Sequence, residues 1–262
     1  MSDAILNHCD DRGVVTLTLN RPDLHNAFDE HLIHDLTQAL RAVQDNPRAR
    51  ALVLTGSGMS FSAGADLNWM RRMAGYSEAQ NRADADTLAT LMSTLDCLPI
   101  PTIARVQGSA FGGGVGLVAC CDIAVATTST LFCLSEVKLG LIPAVISPYL
   151  IRAIGARHAR RYFLTAERFN AAKAQRLGLL HKVVDHADLD ATVESILQEF
   201  LFNSPAAIAA AKQLVAHVES RPVDQALIDY TAAQIATIRV SAEGREGLTA
   251  FLEKRSPAWV SQ

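Results

Sequence analysis

An alternation of short apolar runs and helical periods, repeated through the first half of the chain, most constrains what it can fold into. Val15, Leu17 and Leu19 alternate with Val14, Thr16 and Thr18, the signature of a half-buried strand, which Asn20-Arg21-Pro22 ends. From Asp29 to Gln44 the apolar residues Leu32, Ile33, Leu36, Leu40 and Val43 keep a helical period that stops before Asn46-Pro47. Residues 51–55 form a second short strand, closed by Gly56-Ser57-Gly58. Ser77 and Gln80 make a capping box for a helix to about Cys97, with Leu88, Leu91, Met92 and Leu95 as its buried stripe. A strand at 102–106, a short helix ending at Cys121 and a strand at 123–126 continue the pattern. Such alternation predicts an α/β fold with parallel strands buried on both faces.

Beyond Pro148 the convincing segments are all helical: 156–165, 170–176 stopped by Gly178, 189–202, 205–218 started by Ser204, a helix opened by Pro222 to about Val240, and 242–254. The expected division is an α/β core over residues 1–200 and a helical region over 201–262 that packs on the core or on a neighbouring subunit. With 49% hydrophobic and 19% charged residues, the 262-residue chain can bury a large core and is not disordered in the main. Its 24 Lys+Arg against 27 Asp+Glu leave a net charge of -3, without the basic excess that nucleic-acid binding draws on, so no DNA partner is expected. The start of the chain carries Asp3, Asp10 and Asp11 and no apolar run, and nothing approaches the roughly 18 apolar residues of a membrane span. A cytoplasmic protein without membrane attachment is the expectation.

The five cysteines, Cys9, Cys97, Cys120, Cys121 and Cys133, contain no C-x-x-C and read as reduced, buried thiols. His31 and His34 lack further ligands nearby, so no metal is expected. Two other segments carry chemistry: Phe61-Ser62-Ala63-Gly64-Ala65-Asp66-Leu67 and Gly108-Ser109-Ala110-Phe111-Gly112-Gly113-Gly114-Val115-Gly116. Each follows a strand, is rich in small residues and leads into a helix, so each can expose backbone N–H groups to a ligand. Facing one point, the two turns would form an oxyanion hole. Neither is a G-x-G-x-x-G or Walker loop, and no G-x-S-x-G is present, which disfavours standard nucleotide binding and serine-hydrolase chemistry.

These two turns, with Ser135-Glu136-Val137-Lys138-Leu139-Gly140-Leu141-Ile142-Pro143 downstream, resemble the enoyl-CoA hydratase/isomerase (crotonase) superfamily over essentially the whole chain. Asn20-Arg21-Pro22, Asn26-Ala27, Cys121-Asp122-Ile123-Ala124 and Phe251-Leu252-Glu253-Lys254-Arg255 stand in family order around them. The resemblance implies a spiral of ββα turns with a helical C-terminal layer, assembled as trimers or dimers of trimers. It implies an acyl-CoA substrate with no other cofactor, the thioester oxygen being held by the N–H groups of Ala65 and Gly113. For CoA it implies contacts from Asp23, Leu24, His25, Ala63, Asp66, Leu67 and Asn68, and from Lys254, possibly across a subunit boundary. On its own, Asp66 reads as a helix N-cap.

The family's hydratases commonly carry two glutamates. Glu136 matches the second, as general base or acid, but twenty residues earlier stands Gly116. One carboxylate leaves two chemistries open, hydration and Δ3-Δ2 isomerisation. The stretch from Phe132 to Pro148, with Gly113 to Leu117 and Asp66 to Met70, looks like bacterial methylglutaconyl-CoA hydratases of leucine breakdown, which also lack the first glutamate. A general enoyl-CoA hydratase of fatty-acid oxidation is a further alternative. A non-catalytic CoA-thioester binder and an RNA-associated module are the readings from other classes, the latter disfavoured by charge. The methylglutaconyl substrate has a distal carboxylate, for which Arg71, Arg72, Arg105 and His25 are candidate partners by position. Trp69, Met70 and Met73 are candidates for the acyl pocket or for helix packing.

Overall fold

The computed structural model describes residues 4–260. The chain runs β1 (Ile5–Cys9), β2 (Val14–Leu19), α1 (Glu30–Gln44), β3 (Ala51–Gly56), β4 (Ser60–Ser62), α2 (Leu67–Met73) and α3 (Glu78–Asp96). It continues through β5 (Thr102–Val106), β6 (Ser109–Phe111), α4 (Gly113–Cys120), β7 (Ile123–Thr127), β8 (Leu131–Cys133) and a 3-10 turn at Glu136–Leu139. Then follow α5 (Ser147–Thr165), β9 (Phe169–Asn170), α6 (Ala171–Leu177), β10 (Lys182–Val184), α7 (Leu189–Phe202), α8 (Pro205–Val218), α9 (Gln225–Val240) and α10 (Ala242–Glu253).

Strands are dealt alternately to two sheets, a six-stranded one in the order β1-β2-β3-β5-β7-β10 and a four-stranded one in the order β4-β6-β8-β9. Each pass gives β3, β5 or β7 to the first and β4, β6 or β8 to the second before the chain turns into a helix, which is a spiral of ββα turns. From β2 to β10 the large sheet is parallel, and its strands are apolar on both faces. Leu52, Leu54, Ala104 and Val106 face α1, α3 and α4, while Ala51, Val53, Ile103 and Val125 meet Leu189, Val193 and Leu197 of α7. The helix of residues 30–44 buries all five of its periodic apolar positions, and Asp29 caps it by accepting from Leu32 N–H. Ser77 and Gln80 form the reciprocal capping box of α3.

Four expectations need correction. The N-terminal strand β1 pairs antiparallel with β2, yet only Ile5 of its five residues is buried, so hydrophobic pattern carries no trace of it. Past Pro148 the chain is not wholly helical: β9 lies beside β8, and β10 pairs parallel with β7 at the sheet edge, both too short for a detectable period. The helix expected at 156–165 belongs to α5, which begins at Ser147 and is interrupted at Gly155 (φ 75°), and α9 starts after an Asp224 cap rather than at Pro222. The cysteines are free, but Cys9 and Cys97 are exposed, and only Cys120, Cys121 and Cys133 are buried.

The last three helices attach differently from the rest. No residue of α8 is fully buried, yet its Lys212 Nζ reaches Asp122 Oδ2 (2.7 Å) and donates to Ile100 O (3.3 Å). The same Asp122 oxygen accepts from Thr102 N–H and Oγ1 (2.8 and 2.9 Å), so one partly exposed ion pair joins the C-terminal layer to the starts of β5 and β7. Lys212→Met keeps the stem and removes the charge. It is expected to cost about 1–3 kcal/mol in denaturant unfolding, and to speed hydrogen exchange in α8 more than in α1.

Candidate active site

The small sheet builds the site. β4, β6 and β8 are parallel neighbours, and the segments leaving their carboxyl ends are the turn at 63–66, the glycine turn at 112–113 and the approach to Glu136. Ligand sites at the carboxyl ends of parallel strands follow from that geometry, because successive strand-to-helix turns converge there. Here the convergence is close: a Cβ on Gly64 would stand 3.1 Å from Phe111 O, and one on Gly112 would stand 3.9 Å from the Gly64 Cα and 3.3 Å from Glu136 Oε1.

Ala65 lies in a parallel bridge with Phe28. Phe28 N–H donates to Gly64 O (2.6 Å) and Asp66 N–H to Phe28 O (2.7 Å), so the bridge uses the groups on either side of Ala65 and turns the Ala65 N–H outward. Gly113 is the first residue of α4, where backbone N–H groups have no partner within the helix and the dipole is positive. Gly112, at φ 49° and ψ −121°, donates to Cys133 O (2.9 Å) and sets the turn in a conformation suited to glycine. At Gly113 a Cβ would meet the Phe28 ring at 2.6 Å. The two expected oxyanion donors thus sit on adjoining turns.

Glu136 opens the 3-10 turn, and its Oε2 is buried without a hydrogen-bond partner. Burial raises its pKa above the ordinary carboxylate value, opposed in part by a bond to its own backbone. A desolvated carboxyl beside two backbone donors is the arrangement that moves a proton while an adjacent oxygen gathers charge.

The remaining expected residues are distributed around this centre. Asp23 and Leu24 lie in a 3-10 turn at Pro22–Leu24, and His25 (φ 50°) shares a hydrogen bond with Ser60 Oγ (3.1 Å). Ala63 N–H donates to His25 O (2.9 Å), bringing those two segments together. Asp66 is the N-cap of α2, accepting from Asn68 and Trp69 N–H, as its residue type suggested. Leu67 is 70% exposed beside the turn. Lys254 ends α10, whose main contacts are with α9 and α8. Trp69 belongs to the core and donates to Asp84 Oδ1 (3.2 Å).

Among the candidate partners of a distal carboxylate, Arg105 is displaced by the strand's alternation. It shares the α7 face of β5 with Ile103 and pairs with Asp190, across the sheet from the glycine turn. Arg72 is engaged by Glu30 (2.7 Å). Arg71, whose recorded bond is to Asn68 Oδ1 (2.7 Å), makes no ion pair among the described residues.

Sequence reasoning missed a residue that organises the site. Arg21 donates to Ala27 O (2.9 Å) and pairs with Asp29 (2.9 Å) and Asp66 (3.4 Å), so one guanidinium links the N-caps of α1 and α2. The signal was present in Asn20-Arg21-Pro22, which gives the residue but not its partners.

Two adjoining small-residue turns beside a carboxyl with one buried, unpartnered oxygen form an arrangement that can stabilise a developing oxyanion. Residues 10–262 match the family model described as enoyl-CoA hydratase/isomerase. The solved enoyl-CoA hydratase of Shewanella pealeana is 52% identical, with a TM-score of 0.95 over 98% of this chain and 96% of that one. The crotonyl-CoA hydratase of Syntrophomonas wolfei is 32% identical over 95% of both chains, and enoyl-CoA hydratase AKT6-1 of Alternaria alternata is 37% identical over 93% of this chain and 80% of its own. This chain belongs to the enoyl-CoA hydratase/isomerase (crotonase) family.

Arg21→Ala leaves two capping carboxylates without their cation and is expected to cost about 2–3 kcal/mol. If Arg21 positions the turn, kcat should fall more than KM rises, and Arg21→Lys should recover part of both stability and kcat. Steady-state kinetics beside thermal melts check this.

Proposed function

We propose that the protein hydrates the 2,3 double bond of an enoyl-CoA, and that its substrate is 3-methylglutaconyl-CoA, converted to 3-hydroxy-3-methylglutaryl-CoA as in leucine breakdown. The carrying observation is Glu136: a buried carboxyl with one unpartnered oxygen, close to the glycine turn, with Gly116 where a second glutamate would stand. The thioester oxygen accepts from Ala65 and Gly113 N–H. Glu136 takes a proton from water as the water oxygen bonds to C3, and the alkene electron pair moves toward C2 and the thioester as an enolate. Glu136 then returns that proton to C2, so a single carboxyl balances the addition. Donors aimed at the enolate oxygen stabilise it by several kcal/mol more than the ground-state carbonyl.

Asp23, Leu24, His25, Ala63, Asp66, Leu67 and Asn68 would hold CoA, the only cofactor-like group required and itself part of the substrate. Arg71 is the favoured partner of the distal carboxylate, since Arg72 and Arg105 are already ion-paired. Residues 201–262 would form the interface of a homotrimer, bringing Lys254 to a neighbour's CoA phosphate. The support is the apolar surface they leave open, with Phe251 and Leu252 about four-fifths exposed (80% and 78%). A cytoplasmic enzyme fits a chain in which no helix of the described residues is long and apolar enough to cross a membrane.

A Δ3-Δ2 isomerase using Glu136 alone is the second reading, favoured by the same single carboxyl. The test is incubation with methylglutaconyl-CoA, crotonyl-CoA and a 3-enoyl-CoA, with Glu136→Gln beside the native protein. Gain of water on the first, reduced at least about 100-fold in the variant, is the expected result. A shifted double bond on the 3-enoyl substrate with no hydration anywhere would make it an isomerase.

The raised pKa also predicts pH behaviour. Hydration needs the carboxylate, so activity falls on the acid side at a higher pH than an ordinary glutamate would give. For stability the folded state holds this proton more tightly than the unfolded state, so ionisation destabilises the fold as pH rises past the unfolded value and the loss is complete above the folded one. Glu136→Gln should therefore gain stability relative to the native protein across that interval, a trend that melts at a series of pH values would reveal.

A further inference from the structure

Gly116 differs from a simple loss of a carboxylate. It lies one helical turn beyond Gly112, its N–H donating to Gly112 O (3.3 Å), so it is about 6 Å further along α4 from the glycine that touches Glu136. The space in front of it is taken. A Cβ there would stand 2.3 Å from Ile146 Cγ2, 3.0 Å from Ile146 Cβ and 3.2 Å from Met92 Cε. Ile146 is the N-cap residue of α5 and Met92 lies in the buried stripe of α3, both at most 2% exposed, and Met92 sulfur meets Cys120 Sγ at 3.8 Å. No larger residue fits at 116 while Ile146 remains, and an ionised group there would be desolvated against the isoleucine and the Met92 methyl.

We propose that Ile146 is a specificity-determining residue: it fills the volume in which a side chain on residue 116 would begin, and so holds the site to one carboxyl. This rests on the hydratase reading and deepens it. With an apolar wall one turn past the oxyanion donors, the protein offers Glu136 and no second acid or base from α4. A carboxylate at 116 would repel an acyl group that carries its own carboxylate, so the apolar wall admits acidic enoyl thioesters that a two-carboxyl site would disfavour. The choice between the two substrate classes is written jointly at 116 and 146.

Two measurements test this. The first is a melting cycle of Gly116→Ala, Ile146→Ala and the double variant. Gly116→Ala alone should lower Tm by about 3–8 °C, and Ile146→Ala should lower it by leaving a cavity. The double variant should lie well above the sum of the two losses, because the new methyl occupies the vacated space. Additive losses, or a Gly116→Ala variant that melts with the native protein, would overturn the proposal. The second compares methylglutaconyl-CoA with crotonyl-CoA as substrates. Ile146→Ala combined with Gly116→Glu should raise the rate on the neutral thioester relative to the acidic one at least about tenfold, roughly one methylene-scale discrimination or more. An unchanged ratio in a folded double variant would refute the specificity role. Should the native protein hydrate neither thioester, the hydratase reading fails, while the melting cycle still decides the steric coupling by itself.

Discussion

The placement of the 63–66 turn depends on the Arg21 guanidinium. Asp29 and Asp66 each cap a helix by accepting backbone N–H bonds, and each keeps an oxygen for the same arginine. A cap alone contributes about 1 kcal/mol and leaves a helix free to shift as a body. Joining two caps through one planar cation fixes the start of α2 relative to the start of α1, and the Phe28 bridge lies between them. Asn26 reinforces the frame, accepting from Arg21 N–H and donating to Ser57 and Ser60 carbonyls (2.9 and 2.8 Å). Electrostatic catalysis needs donors that are oriented before charge appears. The turn that carries Ala65 is oriented in this way, by ion pairs and backbone bonds.

The Gly113 turn is fixed by exclusion rather than attraction. Gly113 lies against Phe28 so closely that no side chain fits, and Phe28 is the residue whose backbone frames Ala65. One aromatic residue therefore holds both donor turns, with its main chain on one side and its ring on the other. This explains why the two glycine-rich turns must be small for different reasons: the first to bend beneath Phe111 O, the second to admit a ring.

Much of the architecture is legible from pattern because the parallel strands are buried on both faces and the helices carry their own caps. Residues 30–44, 189–202 and 205–218 have clear periods or N-terminal signals, and their ends follow. The strands that escape the pattern, β1, β4, β6, β8, β9 and β10, lie at a sheet edge or are only two or three residues long, and their pairing is decided by distant chain. The site divides in the same manner. Ala65, Gly113 and Glu136 stand in local motifs, so family likeness can nominate them. Phe28 acts on Gly64 and Gly113, Ile146 on Gly116 and Arg21 on Asp66, each 30 or more positions away, and nothing in their own neighbourhoods reveals those partners. Arg105 failed as a candidate for the converse reason: strand alternation, once its register is known, sends it to the α7 face.

Glu136 shows how stability and chemistry oppose each other in this fold. A buried carboxyl oxygen without a protein hydrogen-bond donor is costly, and a single nearby N–H would relieve it. That remedy would also anchor the ionised form, lower the pKa and weaken the group as a base for water. The protein instead surrounds the route from Gly112 to Ile146 with glycine, isoleucine and methionine, none of which offers a side-chain proton. The raised pKa follows from that burial, with no protein donor on the buried oxygen to oppose it. Stability lost at one oxygen is small against a core that spans both faces of a six-stranded sheet, and the fold can carry it.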